Sequence, residues 1–442
     1  MRFLPVPTPP AQDAQPVQGW RKVRRQAEEL LWVLGGKFGL MGANATLMLI
    51  LAERLALETY GLLVTVISAQ LLISRVVMLG VDTGMIRMRT LPELRQHASA
   101  VVHAGLVVMW YATAVLVLSA LAVAWLWPAS ATLRLPLWAL AAVVGGAVGT
   151  ALVDYSYSFH LAQLYYRAAA LVQSGTALAR LSVTVGAVWL LPKSAPVIFL
   201  SYTSVSFLSG VAQVAALLRR QGQWPTHALV GRLLRYSVWQ CVTNVIVVFS
   251  LYQGTFLLTV LGHKAETGLF GLGLTLSLGF FAVYNAFIEY LLPRGARVEH
   301  VHALPRFLGR ACSLAGMLAV AGILVAGLIG RLVPWLLRPE LHGVVPIFYW
   351  LSASMLLLIL QCPFEVACHY LLHPQLVVLT WTLRAVSIVL FSMALMPTKG
   401  AMGVALAQLA GTVLASLTLI GLVLVQMRSA LRATRGTDLL TA

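Results

Sequence analysis

Charge is what this chain has least of. Only 10% of its 442 residues are Asp, Glu, Lys or Arg, against 60% hydrophobic, and its mean hydropathy is +0.86. A water-soluble domain cannot keep its surface hydrated on that balance, so a soluble fold is excluded. Acidic residues are scarcer still: 14 Asp and Glu stand against 31 Lys and Arg, for a net charge of +17. Cysteine is scarce too. Cys241, Cys312, Cys362 and Cys368 all fall in or beside apolar runs. Cys362 and Cys368 lack metal-ligand spacing, so the four read as small buried hydrophobes with no bridge implied. There is no Gly-x-x-x-x-Gly-Lys-Ser/Thr, no dinucleotide fingerprint and no His-Glu-x-x-His, which argues against an ATP-driven pump and calls for no cofactor or metal. A sizeable connection on the outer side is also missing, and membrane enzymes that polymerise or ligate sugars generally need one to hold acceptor and catalytic groups. The chain is therefore not expected to be an enzyme.

What is present is apolar sequence in runs. A bilayer core takes roughly 20 apolar residues per helical crossing. Twelve candidate spans follow, at about 30–51, 61–80, 101–126, 137–161, 168–191, 197–218, 236–261, 268–292, 311–330, 344–371, 376–396 and 400–427. The fold class is an all-α polytopic membrane protein. Pro5, Pro7, Pro9, Pro10 and Pro16 rule out a signal peptide at the start, and residues 1–17 read as a disordered tail. Residues 18–29, with Trp20 beside Lys22, Arg24 and Arg25, suit a short helix on an anionic membrane surface.

The net positive charge suggests nucleic acid until its distribution is followed. Lys and Arg crowd the N-terminal tail, the 81–100, 219–235 and 293–310 connections and the C-terminal tail, and are sparse in the alternate connections. That is the positive-inside pattern, so both termini are expected in the cytoplasm, with no nucleic-acid partner.

One hairpin occurs twice. Leu57-Glu58-Thr59-Tyr60-Gly61-Leu62 joins two apolar runs, and so does Ala265-Glu266-Thr267-Gly268-Leu269. From Gly61 to Arg87 is 26 positions, and from Gly268 to Arg294 is again 26. Two homologous halves leave this trace. The expected organisation is a cytoplasmic tail with its juxtamembrane segment at 1–29, a six-helix half at 30–218, a cytoplasmic linker at 219–235, a second six-helix half at 236–427 and a tail at 428–442. The repeat is parallel, about an axis along the membrane normal. In each turn the threonine is expected to cap the following helix, the glutamate to favour its positive end and the glycine to allow close packing; lining an outer gate is the functional alternative.

Both hairpins resemble a known family. Gly35-Gly36-Lys37, Leu51-Ala52-Glu53-Arg54-Leu55, the Glu58 to Leu62 turn and Leu79-Gly80-Val81-Asp82 are similar to the opening of polysaccharide (lipid-linked oligosaccharide) flippases of the MOP superfamily. Leu234-Arg235-Tyr236-Ser237, the Gly262 to Gly268 turn and Leu292-Pro293 agree with their seventh and eighth spans. Trp239 stands where the family often has proline, so the seventh helix is expected to be less kinked. The resemblance implies a MATE-like fold and the transport of polyprenyl-diphosphate-linked oligosaccharide, with membrane lipids and polysaccharide assembly proteins as partners. It also implies a bacterial inner-membrane location.

Ionisable groups inside spans are costly unless paired or facing water, so they mark candidate sites. Histidines aside there are seven: Lys37, Arg75, Asp154, Arg180, Glu289, Glu365 and Arg384. Lys37, Arg75, Arg180 and Arg384 are the candidate cations of a substrate site that holds the diphosphate. Lys37 and Arg75 have no obvious partner in the sequence, although Lys37 is long enough to snorkel to the interface. Asp154 with Arg180, and Glu365 with Arg384, are expected to pair across equivalent hairpins or to couple an ion. Glu289 lies near an inner helix end, where solvation at the interface competes with a functional role. The aromatics at Tyr155, Tyr157, Phe159, Tyr165, Tyr166, Phe348, Tyr349 and Trp350 read as interfacial belts or as sugar-stacking rings. Asn44, Gln70, Gln173, Asn244, Gln253 and Asn285 read as hydroxyl-binding groups or as interhelical glue.

The expected function is an inner-membrane flippase working by alternating access. A multidrug or metabolite antiporter of the same fold and a membrane component of an exopolysaccharide synthase are the alternatives.

Overall fold

The computed structural model describes residues 16–90, 98–126, 137–163, 165–191, 194–219, 225–295, 303–370 and 374–440. These residues are helical almost throughout, with no strand among them. In lipid each backbone N–H and C=O must find its partner inside the segment, which leaves a long apolar run little but the helix.

The helices are α1 (Pro16–Arg54), α2 (Leu57–Met78), α3 (Val81–Thr90), α4 (Ala98–Leu126), α5 (Leu137–Ala162) and α6 (Tyr166–Leu190). They continue with α7 (Ala195–Leu218), α8 (His227–Val260), α9 (Lys264–Gly295), α10 (Leu304–Leu336), α11 (Val344–Tyr370) and α12 (Pro374–Leu440). Across the break at Leu79 and Gly80, α2 and α3 share one apolar span, Leu57–Met85.

Helix α12 has 67 residues, about 100 Å at 1.5 Å per residue, or three bilayer cores. It folds back on itself. Gly400 has φ 54° and ψ −135°, a backbone that glycine adopts without a Cβ penalty. On either side of it the two arms pack antiparallel. Arg384 Nε donates to Thr412 Oγ1 at 2.9 Å, and a Cβ on Gly411 would meet Ile388 N at 3.0 Å. Of the 11 described stretches apolar enough to cross a membrane, the one that spans Gln375–Ser429 thus crosses twice. That makes twelve crossings, as the apolar runs require.

Helices α1–α7 pack among themselves, chiefly α1 on α6, α5 on α7 and α2 on α5; α8–α12 do likewise, chiefly α9 on α11 and α11 on α12. One buried core, including Phe270, Phe348, Trp381 and Val404, belongs wholly to α8–α12. A second, around Met78, Met85 and Tyr155, belongs mainly to α2–α5. A third brings Leu51, Leu55 and Leu63 against Leu337 and Leu341, and so joins the two groups at the end of the bundle away from the termini.

Three details differ from the sequence expectation. The segment 18–29 continues into the first membrane helix without a break, because nothing between Pro16 and Arg54 interrupts the helix; residues 1–15 lie outside the described residues. Helix α8 begins at His227, with Thr226 Oγ1 accepting from Leu229 N at 3.4 Å as its cap, so Arg232 and Arg235 are helical rather than part of a linker. Neither does Thr59 cap the helix that follows it: the cap position of α2 is Ala56, without a side-chain bond. Helix α8 has no internal proline and runs uninterrupted through Trp239. All four cysteines are free, and three of them are buried.

Candidate functional site: ion pairs between two helical halves

At the end of the bundle that carries the termini, Lys37 and Glu289 meet. Lys37 Nζ lies 2.6 Å from Glu289 Oε1, joining α1 of the first half to α9 of the second. Glycine brings Lys37 there: a Cβ on Gly36 would meet Ala170 Cα at 2.8 Å, and one on Gly39 the Ser174 Cβ at 3.1 Å, so α1 lies close on α6. Glu289 rides on α9 between Phe287 and Leu291, which are both buried in the second-half core.

Arg75 Nη1 lies 3.2 Å from Asp154 Oδ2, a pair inside the first half between α2 and α5. Arg180 Nη1 donates to Tyr202 Oη at 2.8 Å, and its guanidinium sits 4.9 Å over the same ring. Asp154 is within electrostatic range of Arg75, Asp82 and Arg180. Tyr157 is within range of both Glu289 and Asp154, and Tyr252 of both Arg75 and Tyr202.

The pairing differs from the sequence expectation, and helix depth explains it. Asp154 lies 8 residues, about 12 Å, from the end of α5, whereas Arg180 lies 14 residues, about 21 Å, from the start of α6. They miss each other by about two turns. The α2 span, expected to end near residue 80, continues through α3 to Met85, which sets Arg75 farther from the span's end and level with Asp154. Lys37, expected to be unpartnered, takes its carboxylate from the opposite half.

Arg384 and Glu365 stand apart from this group, deep in the second-half bundle, and do not form the expected ion pair. Arg384, 1% exposed, donates to Thr412 Oγ1 at 2.9 Å and Ser250 Oγ at 2.6 Å, and stacks 5.0 Å from the Trp381 ring. Glu365, also 1% exposed, accepts from Tyr284 Oη and, at 2.7 Å, from Gln361 Nε2. Gln361 Oε1 in turn accepts from Ser416 Oγ at 2.6 Å. The arginine and the carboxylate occupy neighbouring tiers of one polar ladder, joined by the edge contact of Tyr284 with Trp381 at 6.3 Å.

The opposite end is closed by the glycines of the two repeated turns and by charged groups at helix ends. Gly61 and Gly268, from the two Glu-Thr-Gly turns, pack on each other's helices. A Cβ on Gly61 would overlap Lys264 O, and one on Gly268 would meet Leu57 O at 2.8 Å. Arg338 caps the end of α1: its Nη2 donates to Ala52 O at 2.8 Å and Leu55 O at 3.1 Å, and its backbone N to Glu53 Oε2 at 3.2 Å. Glu266 Oε2 accepts from Ala401 N at 2.7 Å and so caps the second arm of α12 rather than its own helix. The signals for the charged groups were slight: Glu53 lies inside Leu51-Ala52-Glu53-Arg54-Leu55, and Arg338-Pro339 follows an apolar run.

The aromatic and amide candidates divide. Tyr155 is fully buried and donates to Val102 O at 2.5 Å, and Phe348 is core, whereas Tyr165, Tyr349 and Trp350 are exposed as a belt requires. Gln70 Nε2 donates to Thr150 Oγ1 at 3.0 Å between α2 and α5, as interhelical glue. The side chains of Arg87 and Arg294 lie outside the described residues.

No sequence-family model matches the chain, and no curated protein sequence does. Solved structures do. The chain is similar to an inward-facing multidrug-resistance MATE-family transporter of the MOP superfamily, with a TM-score of 0.59 at 12% identity over 91% of this chain and 96% of that one. It is similar to the lipid II flippase MurJ in an inward closed conformation, with a TM-score of 0.60 at 12% identity over 88% and 86%. A third likeness is to a MOP-superfamily transporter from Pyrococcus furiosus described as having a binding pocket of reversed polarity, at a TM-score of 0.57 and 11% identity over 91% and 96%. At these identities the likeness establishes architecture, and it is nearly end to end: the chain has the fold of the MOP-superfamily transporters.

Proposed function

We propose that the protein is an inner-membrane flippase that moves a polyprenyl-diphosphate-linked oligosaccharide from the cytoplasmic to the outer leaflet by alternating access. The observation that carries this reading is the Lys37–Glu289 contact between the halves together with the Arg75–Asp154 pair of the first half, with Lys37 14% and Arg75 29% exposed. A partly solvated cation in an ion pair exchanges one anion for another at modest cost, and diphosphate oxygens make charge-assisted bonds as good as those of a carboxylate. The positive-inside pattern assigns the terminal end, where Lys37 meets Glu289, to the cytoplasm. A lipid II flippase among the similar structures supports the substrate class.

Alternating access needs two bodies that touch at both ends. The Gly61–Gly268 contact and the Arg338 cap join the halves on one side, and the Lys37–Glu289 pair joins them on the other. The carbohydrate would travel in the space between, while the polyprenyl tail stays in lipid. No step needs covalent chemistry, so the protein acts as a carrier and not as an enzyme.

A multidrug or metabolite antiporter is the second reading, favoured by the carboxylates Asp154 and Glu289 at the same place. Reconstitution separates the two. Liposomes holding the protein should bring a fluorescent polyprenyl-diphosphate oligosaccharide to the outer leaflet, where it becomes open to a membrane-impermeant lectin. Cationic dye uptake without that movement would favour the antiporter.

A further inference from the structure

Each member of the Lys37–Glu289 pair is fixed to a different half. Lys37 is held by the close packing of α1 on α6, and Glu289 by the anchoring of α9 in the second-half core. Among the described residues, the other contacts between the halves at this end carry no opposed charges: Gly80 lies against Ser237 O, and Cys241 Sγ lies 3.8 Å from Arg75 O. Arg75 and Asp154 belong to the same half, and their bond is indifferent to how the halves move. Among the described residues, Lys37–Glu289 is therefore the ion pair at this end that has to break when the halves part.

The two ends of the pair differ in exposure. The Lys37 side chain is 14% exposed and that of Glu289 is 50% exposed. A carboxylate already half in water is rehydrated cheaply when it swings away, whereas the ammonium stays in the protein and needs another anion. Building on the flippase reading above, we propose that Glu289 stands in for the cargo's anionic headgroup. It holds Lys37 while the site is free, and an arriving diphosphate displaces it, so that filling the anion site and releasing the cytoplasmic contact are one event. A diphosphate diester brings two charges and enough oxygens to engage Arg75 as well, whereas Glu289 brings one charge and serves Lys37 alone. A neutral or cationic ligand has nothing to offer Lys37 and leaves the latch shut. Glu289 is on this account a specificity-determining residue that never needs to touch the cargo.

The test uses the full chain in lipid nanodiscs, with the four native cysteines replaced and spin labels at Leu31→Cys on α1 and Arg306→Cys on α10, both exposed. Binding of polyprenyl diphosphate, neutral polyprenol and inorganic pyrophosphate is measured beside the label distance. Glu289→Gln removes the competitor and should bind polyprenyl diphosphate about tenfold tighter, because the population tax of the closed latch is lifted. It should also broaden the label distance toward longer values without ligand. Lys37→Gln should broaden the distance as well but bind about tenfold more weakly. In the unaltered chain both diphosphates should lengthen the distance and polyprenol should not. Glu289→Asp, which keeps the charge on a shorter arm, should fall between and guards against a folding defect in the amide variant. A Glu289→Gln protein with unaltered affinity and distance overturns the latch, even where polyprenyl diphosphate binds and the cargo reading stands. Opening by Glu289→Gln and by inorganic pyrophosphate, with none by polyprenyl diphosphate, upholds the latch and overturns the cargo reading.

Discussion

Gly61 and Gly268, 207 positions apart in the chain, lie against each other's helices at the end of the bundle away from the termini. Lys264 O occupies the place of a Cβ on Gly61, and Leu57 O lies 2.8 Å from that of a Cβ on Gly268. The same turn, used once in each half, forms both sides of one contact, so the repeat in the sequence is also an interface in the fold. Gly61→Ala should force the turns apart and destabilise the closed form by about 1–3 kcal/mol. Gly42→Ala, at a helical glycine with nothing within 4 Å of its Cβ position, should be neutral or stabilising by up to about 1 kcal/mol. Reactivity of a cysteine introduced at Thr65 toward an impermeant maleimide added from outside checks this: it should rise for Gly61→Ala and not for Gly42→Ala.

Arg338 closes the same end in a way that charge alone does not describe. It donates to two backbone carbonyls of α1 besides facing Glu53. Arg338→Gln should raise Thr65→Cys labelling, and the swap Glu53→Arg with Arg338→Glu should fail to restore closure, since a carboxylate cannot donate to Ala52 O and Leu55 O. Full rescue by the swap would reduce the contact to a simple ion pair.

Arg384 and Glu365 make the opposite case for a charge swap. Each has its own neutral partners on its own tier, so exchanging them places an arginine against Tyr284 and Gln361 and a carboxylate against Ser250 and Thr412. The double swap should not recover folded protein. Arg384→Met should cost about 1–3 kcal/mol by leaving Thr412 Oγ1 and Ser250 Oγ without their buried donor. Thermal unfolding of the purified variants, followed by tryptophan fluorescence, measures both. Recovery in the double swap would mean that the two residues pair directly.

How far the sequence reached follows from what is local. Span number and the candidate ionisable residues were legible because apolar runs and isolated charges within them are read one segment at a time, and the fold-back of α12 falls where the runs 376–396 and 400–427 part. Pairing was not legible, since it depends on depth. Arg75 meets Asp154 because α2 and α3 share one span, and no run of residues near Arg75 says so. The Lys37 partner lies 252 positions away in the other half, where only the packing of α1 beside α9 brings it. Glu53, Glu266 and Arg338 sit at helix ends, where a charged residue is ordinary, and their role appears only once the helix they cap is in place.

Orientation is the next expectation to check. Cysteines placed at Lys264, Glu340 and Lys399 should label from outside intact cells, and those at Thr226 and Arg306 only after the membrane is opened. Reversal of the two groups would put the Lys37–Glu289 contact on the outer side and the direction of transport with it.

The central claim is that Lys37 and Arg75 hold the diphosphate of the cargo, and transport by the double variant Lys37→Ala, Arg75→Ala tests it most directly. Each charge-assisted contact to phosphate is worth roughly 1.5–3 kcal/mol, so each loss should lower affinity by about one to two orders of magnitude. Arg75→Lys should recover part of it, keeping the charge and losing the forked geometry. The measurement is the rate at which polyprenyl-diphosphate oligosaccharide reaches the outer leaflet of proteoliposomes, at matched amounts of folded protein. The account predicts that the double variant falls to the rate of protein-free liposomes while remaining folded. Transport at the unaltered rate by a folded double variant would contradict it.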